Sequence, residues 1–355
     1  MTATDTLAQP PTVSVIIPAR NEEASLGDCV QSLVTQGGVP FEIIVVDDHS
    51  TDRTREIARS FPGVRVIEAG PLTQGWTGKN NAVTTGARQA RGEWLLFTDA
   101  DTVHLPGSLA RAVAEAQDNN AELLSYSPEQ LAVTFWERAT LPIVFAELAR
   151  QYPPSVVSDP ASPIAAANGQ FILIRRNTYD AVGGHVAVAG DILEDVALAR
   201  VVKRSGRKIR FRYAPDAVRT RMYRNYRQLR DGWTKNLALL FPRPAWLAVK
   251  SFFLWVFPWT IMCLRFAGFL TDSGWQVVMV LALLFLEVRI HRANFALKLT
   301  ILGALFGIPM FAYLLLRSKR AHAKGNVAWK GRTYSDKPDS HKIDSDKPAV
   351  LATGH

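Results

Sequence analysis

The 355-residue chain has only two cysteines, Cys29 and Cys263, far apart in sequence. That is too few for a disulfide framework or a zinc site. The first twelve residues contain two prolines but no basic cluster and no apolar run, so no secretory signal is read there. No repeat of architectural length is visible, and no phosphate loop with Walker spacing. No nucleic-acid-binding module is recognised either. Charged residues make up 21% and apolar residues 48%, which excludes global disorder and permits a sizeable core. The charge balance is one-sided, with a formal net charge of +9 that favours anionic partners. A mean hydropathy of +0.02 is high for this much charge and implies that the apolar residues are unevenly distributed.

From Val13 to about Arg230, short apolar runs alternate with helical spacing. Strands are expected at Val13–Ile17, Glu42–Val46, Val64–Glu68 and Glu93–Thr98, with helices at Glu22–Thr35, Thr54–Ser60 and Lys79–Arg91. Such alternation predicts an α/β fold with a mostly parallel sheet and right-handed crossovers. After Pro244 the character changes. Ser251–Leu270 carries one charge, Arg265; Trp275–Leu286 is short and apolar; Leu299–Leu316 has no charge at all. A bilayer core of ~30 Å needs about 20 apolar helical residues. Residues 299–316 are therefore expected to span, and Ser251–Leu270, with Pro258 inside it, to lie in the interface or re-enter. Residues 1–12 form a polar lead segment, 13–235 a catalytic domain, 245–320 membrane-associated helices and 321–355 a basic, largely disordered tail.

Polar clusters follow three of the four strands. Pro18-Ala19-Arg20-Asn21-Glu22 follows the first, Asp47-Asp48 the second and Asp99-Ala100-Asp101 the fourth. Ligands of open α/β sheets bind at the carboxyl ends of strands, so the convergence defines a crevice. Two carboxylates there can hold Mg²⁺ or Mn²⁺ through oxygen. Ser50 to Asp52 read equally well as capping residues. The turn Gly75-Trp76-Thr77-Gly78-Lys79 precedes a helix and offers N–H groups and a point charge to an anion. Glu194-Asp195 open another helical stretch, where acids usually face the helix dipole. His185 reads as a loop hydrogen-bonder. Arg200 to Arg230 holds twelve Lys/Arg and one acid. It suits anionic lipid headgroups or a diphosphate, and the sequence does not separate the two. Nucleic acid fits poorly, because this stretch abuts apolar segments.

Taken in order, Val13-Ser-Val-Ile-Ile-Pro-Ala-Arg-Asn-Glu22, Val-Val-Asp-Asp48-His-Ser-Thr-Asp52, Gly78-Lys79, Asp99-Ala-Asp101 and Glu194-Asp195 resemble the family 2 glycosyltransferases of the GT-A fold. The resemblance covers about residues 13–235. Ala166-Ala-Asn-Gly-Gln-Phe-Ile-Leu, Gly-Trp-Thr-Gly-Lys79 and Trp329-Lys-Gly-Arg-Thr-Tyr334 are similar to a membrane-associated branch near carotenoid and hopanoid pathways. It implies an inverting transferase that uses a UDP- or GDP-sugar and Mg²⁺ or Mn²⁺. Pro18, Ala19, Glu22 and Asp48 would hold the nucleoside, and Lys79 would lie near nucleotide or phosphate. Asp99 would face ribose or sugar beside the metal, with Asp101 as metal ligand. Glu194 and Asp195 would be the catalytic pair, Asp195 taking the acceptor proton. Val218-Arg-Thr-Arg-Met222 lacks the histidine that family members often carry near the metal, and Gln228-Leu-Arg-Asp-Gly-Trp233 departs from the processive Gln-X-X-Arg-Trp.

The resemblance implies transfer to a membrane lipid, a terpenoid, carotenoid or glycolipid hydroxyl, by a protein on the cytoplasmic side of the cell membrane. The alternative is a polyprenyl-phosphate sugar transferase, whose phosphate acceptor needs no general base. Sugar nucleotidylyl transfer is disfavoured because the first strand end lacks a Gly-rich nucleotide loop. A non-enzymatic scaffold gives no reason for acids at successive strand ends. A chain ended near Leu240 is expected to bind nucleotide sugar yet fail on a membrane-embedded acceptor.

Overall fold

The computed structural model of the chain describes residues 11–269, 274–293, 295, 303–325, 327–329 and 332–334. Ten strands lie in the first part of the chain: β1 Val13–Ala19, β2 Phe41–Asp47, β3 Val64–Glu68, β4 Trp94–Phe97, β5 Thr102–His104, β6 Leu123–Ser127, β7 Glu129–Gln130, β8 Ile172–Arg175, β9 Ile209–Tyr213 and β10 Val218–Thr220. Seven of them form one sheet in the order β3-β2-β1-β4-β8-β6-β9. The pairs β3/β2, β2/β1, β1/β4 and β6/β9 are parallel, and β8 runs antiparallel to both neighbours. A small second sheet, β5-β10-β7, is attached to it.

Strand periodicity explains the two cores. Val13, Val15 and Ile17 of β1 point to one face, where Leu26, Val30, Leu33, Leu109 and Val113 from the helices Leu26–Val34 and Ser108–Asp118 cover them. Ile16 points to the other face, against Val83, Ala87, Leu198 and Val202 from the helices Gly78–Gln89 and Glu194–Arg204. Both faces are covered, which is why these strands read as continuous apolar runs. The helix Gly78–Gln89 approaches the sheet so closely that a Cβ at Gly86 would lie 2.5 Å from Ile16 Cγ2.

A third core joins the helices Phe135–Gln151, Tyr226–Leu240, Pro244–Phe266 and Ile308–Ala323 through Leu141, Val144, Trp233, Leu237, Leu247, Phe311 and Leu314. The helix Ile308–Ala323 thus returns to pack on the helices Phe135–Gln151 and Tyr226–Leu240. Arg317 Nε donates to Thr234 Oγ1 at 3.0 Å, and Ala238 N to Ser318 Oγ at 2.8 Å.

The apolar segments differ from the expectation. Of the segment 299–316, residues 299–302 lie outside the described residues. Residues Gly303–Gly307 form a π turn, and the helix from Ile308 buries Met310, Phe311, Leu314 and Leu315 in the third core. Among the described residues, Pro244–Phe266 is the one helix long and apolar enough to cross a bilayer. It buries only Leu247, Ala248 and Ser251, leaving Phe252, Phe253, Leu254 and Phe257 exposed. The helix Gly274–Arg292 also exposes Val277, Leu281 and Phe285. Tail composition hid further order. Val327–Trp329 and Arg332–Tyr334 pair as an antiparallel hairpin, and the buried Val327 anchors it against the helix Tyr226–Leu240. The repeated Ser-Asp-Lys-Pro of the tail and residues 1–10 lie outside the described residues.

Candidate active site

Because β2, β1 and β4 are adjacent and parallel, their carboxyl ends meet at one sheet edge. They open into a cavity of about 840 Å³. Every candidate residue lines it: Pro18, Ala19, Glu22, Asp48, Lys79, Asp99, Asp101, Glu194 and Asp195.

The first two strand ends are laced together. Asp48 N donates to Ala19 O at 2.8 Å, and Arg20 Nη1 to Asp48 O at 2.7 Å. Asn21 has a φ of 52° and His49 a φ of 57°, left-handed turns that let both loops fold over the edge. Asn21 N donates to Ser50 Oγ at 3.1 Å, and Thr51 N to Asn21 Oδ1 at 2.9 Å. Asp52 accepts from Glu23 N and Thr54 N, so Ser50 to Asp52 bind the two loops to each other. The adjacent acids divide. Asp47 is buried and paired with Arg55 at 2.7 Å, whereas Asp48 lines the cavity.

The centre of the site is a chain of charges. Lys79 Nζ lies 2.7 Å from Asp99 Oδ1 and 2.6 Å from Glu194 Oε1. This revises the expectation for the turn before it. Thr77 caps the helix by accepting from Asn80 N at 3.2 Å, and the Lys79 ammonium is held between carboxylates from two elements. The Asp195 carboxylate accepts from Gly169 N at 2.9 Å and from Val196 N at 2.8 Å. Burial and the neighbouring Glu194 charge push its pKa up to about 6, against the pull of Lys79. Burial also works to raise Glu194, but the Lys79 and Lys235 cations prevail and hold it below the usual carboxylate range. Lys79 keeps its proton well above the ordinary range, because Asp99, Glu194 and Asp195 outweigh its desolvation. Within one pair, then, Glu194 is held as an anion and Asp195 is poised to exchange a proton near neutrality.

Asp101 sits beside the second sheet, and its carbonyl accepts from Thr220 Oγ1 at 3.2 Å. The stretch without a histidine, Val218 to Met222, is therefore next to Asp101, and Met222 lines the cavity. His104 and His185 are buried elsewhere. His104 Nε2 is 3.1 Å from Thr98 Oγ1, and His185 Nδ1 is 3.0 Å from the Tyr179 hydroxyl. Among the described residues no group of three or more His, Cys, Asp or Glu forms a metal cage. A cation here would draw Asp99 and Asp101 from the chain, with the remaining oxygens from outside it.

The basic stretch is mostly structural. Arg210 and Arg212 pair with Glu115, Arg219 with Glu129, and Arg221 with Glu137. Lys203 Nζ donates to two carbonyls, of Val157 and Ile164. Counting acids only inside the stretch missed these partners. Arg221, Arg224 and Arg227 line the cavity. Sequence reasoning also passed over Gly169 and Lys235. A Cβ at Gly169 would lie 2.9 Å from Lys79 Nζ and 3.5 Å from Asp195 Oδ2. Lys235 continues a helix face with Gln228, Asp231 and Gly232, all lining the cavity; that i, i+3, i+4, i+7 spacing was available in the sequence.

Residues 14–183 match the model of glycosyl transferase family 2. Over these residues the chain is similar to the family 2 glycosyltransferases. Curated relatives include the 4,4'-diaponeurosporenoate glycosyltransferases of Staphylococcus aureus strains USA300 and MRSA252. Each is 28% identical over 334 residues, covering 91% of this chain and 88% of the relative. Among solved structures, a mannosyltransferase of Pyrobaculum calidifontis in complex with GDP-Man and Mn²⁺ superposes with a TM-score of 0.50. It is 17% identical and covers 88% of this chain and 87% of the other. That likeness shows the GT-A fold.

Proposed function

We propose that the chain transfers a sugar, with inversion, from a nucleotide-sugar donor to a membrane lipid bearing a terpenoid, carotenoid or glycolipid hydroxyl. One observation carries the reading. A single cavity gathers acids from three parallel strand ends with the pair of buried Glu194 and half-buried Asp195, whose pKa shifts are opposite. Pro18, Ala19, Glu22 and Asp48 would hold the nucleoside. Asp195 would accept the acceptor proton as the bond to the anomeric carbon forms, while the diphosphate leaves from the opposite side. Glu194 and Lys79 fix the charge around it, and Gly169 N–H and Val196 N–H orient its carboxylate. Mg²⁺ or Mn²⁺, held by Asp101 and Asp99, would supply positive charge for the departing diphosphate. A hydrolase would instead need two carboxylates flanking the sugar for water attack.

The exposed apolar helix Pro244–Phe266 supports attachment to a membrane, and the basic run Arg317 to Arg320 supports a cytoplasmic catalytic domain. The names of the Staphylococcus relatives support an apolar acceptor. The test is release of nucleoside diphosphate from a panel of UDP- and GDP-sugars with native lipid extract as acceptor. Release that depends on the lipid supports the reading, and release unaffected by lipid overturns it. A phosphate acceptor is distinguished by Asp195→Asn, which it would tolerate.

A further inference from the structure

In the helix Phe135–Gln151 every residue from Ala139 to Glu147 is buried, so the helix is covered on more than one side. One side has it. Leu141 and Val144 lie in the third core, Ile143 meets Gly303 and Gly307, and Glu147 pairs with Arg289. Another side faces the cavity. Phe145, Leu148 and Ala149 line it, followed by Tyr152 just past the helix end, at i, i+3, i+4 and i+7. The Tyr152 hydroxyl donates to Leu240 O at 3.0 Å, tying this helix end to that of Tyr226–Leu240. Leu240 lines the same cavity, and a few residues on the chain enters the exposed apolar helix Pro244–Phe266. Tyr152 also lies within electrostatic reach of Asp195, which adds to the effect of burial in raising its phenol.

A nucleotide sugar is polar and charged, and it gains little from such a wall. An apolar molecule delivered from the bilayer gains the burial. We propose that Phe145, Leu148, Ala149, Tyr152 and Leu240 form the wall that binds the apolar body of the acceptor and sets its reactive end at Asp195. The proposal rests on the lipid-acceptor reading above and names its binding site. Leu240 stands four residues before the exposed helix begins, which sets the wall at the membrane-facing end of the cavity.

The test uses the full chain in phosphatidylglycerol vesicles and two acceptors with the same terminal hydroxyl, a C30 polyene and a water-soluble C5 prenyl alcohol. Ala149→Trp fills the wall with bulk. It should lower kcat/KM for the C30 acceptor by about tenfold or more, the scale of a hydrophobic-pocket mismatch. Donor binding should stay within about twofold, and the loss on the C5 acceptor, whose short chain uses little of the wall, should be several-fold smaller than on the C30 acceptor. Leu148→Asn, which adds no bulk, should act in the same direction and covers the case in which Ala149→Trp loses donor binding through misfolding. Equal loss on both acceptors, or no loss on the long one, overturns the wall while leaving the transferase reading intact. A wild-type protein that glycosylates neither acceptor overturns the lipid reading, and the wall with it.

Discussion

The sheet edge of β1, β2 and β4 and the helical layer around Phe135–Gln151 and Tyr226–Leu240 line the same cavity but are held by different forces. The edge is fixed by backbone pairing and by loops laced through short hydrogen bonds, so its acids project from a frame that local sequence builds. The helical layer is fixed by apolar side chains drawn from stretches as far apart as Leu141 and Leu315. A change at the edge should therefore disturb chemistry before stability, and a change in the third core, away from the cavity wall, the reverse.

Asp101→Ala is the most severe test. It removes a carboxylate at the strand end, and we expect transfer to fall below detection with the unfolding midpoint little changed. Full activity in excess EDTA would remove the cation from the account. Asp195→Asn keeps shape but removes the proton acceptor and leaves one oxygen for the two N–H groups of Gly169 and Val196. A fall of ~10²-fold in kcat is expected, the usual scale for a general base, with donor affinity preserved by calorimetry. If binding and turnover fall together, Asp195 is a helix-end support and the comparison breaks there.

Gly169→Ala sits at the border of the two regions. The added Cβ would press on Lys79 Nζ, the far end of a flexible side chain, so the stability cost should be about 1 kcal/mol or less. Displacing that ammonium from Glu194 and Asp195 should still lower turnover. The pH profile gives a finer reading. With the Asp195 pKa pushed up to about 6, kcat/KM should rise with pH through an acid limb near that value. Lys79→Met removes a cation that favours the charged form, so the limb should move to higher pH. Glu194→Gln removes an anion that disfavours it, so the limb should move lower. Limbs that stay fixed in both variants would detach the limb from Asp195. In the helical layer, Leu314→Ala should cost about 2–5 kcal/mol of stability, read by denaturant unfolding. Donor affinity at temperatures where the variant is folded should change least of all.

Legibility followed the same division. β1, β2 and β4 were readable to within a residue or two because a strand covered on both faces announces itself as an apolar run, and the half-buried edge strand β3 was readable from its β-branched residues. The acids were readable because each follows such a run directly. Spacing did not separate Asp47 from Asp48, since that depends on Arg55 from the next helix; the family resemblance alone named Asp48. The partners of Lys79 were also hidden: Asp99 is twenty residues away, and Glu194 belongs to another element. Arg212 and Arg221 looked like free cations because Glu115 and Glu137 lie outside their stretch.

The third core marks the limit most clearly. An uncharged run such as 299–316 looks the same whether lipid or protein will cover it, because composition measures apolar surface and not its neighbour. The sequence alone determined the α/β order, the strand ends that carry acids and the presence of apolar helices after Pro244. Tertiary structure decided that Ile308–Ala323 returns to bury Phe311 and Leu314 against the helices lining the site, while Pro244–Phe266 keeps its apolar side exposed. It also decided that Glu194, Asp195 and Lys79 share one electrostatic centre. Local pattern is set by backbone periodicity, but the sign of a pKa shift and the cover over an apolar face are set by what packs against them from elsewhere in the chain.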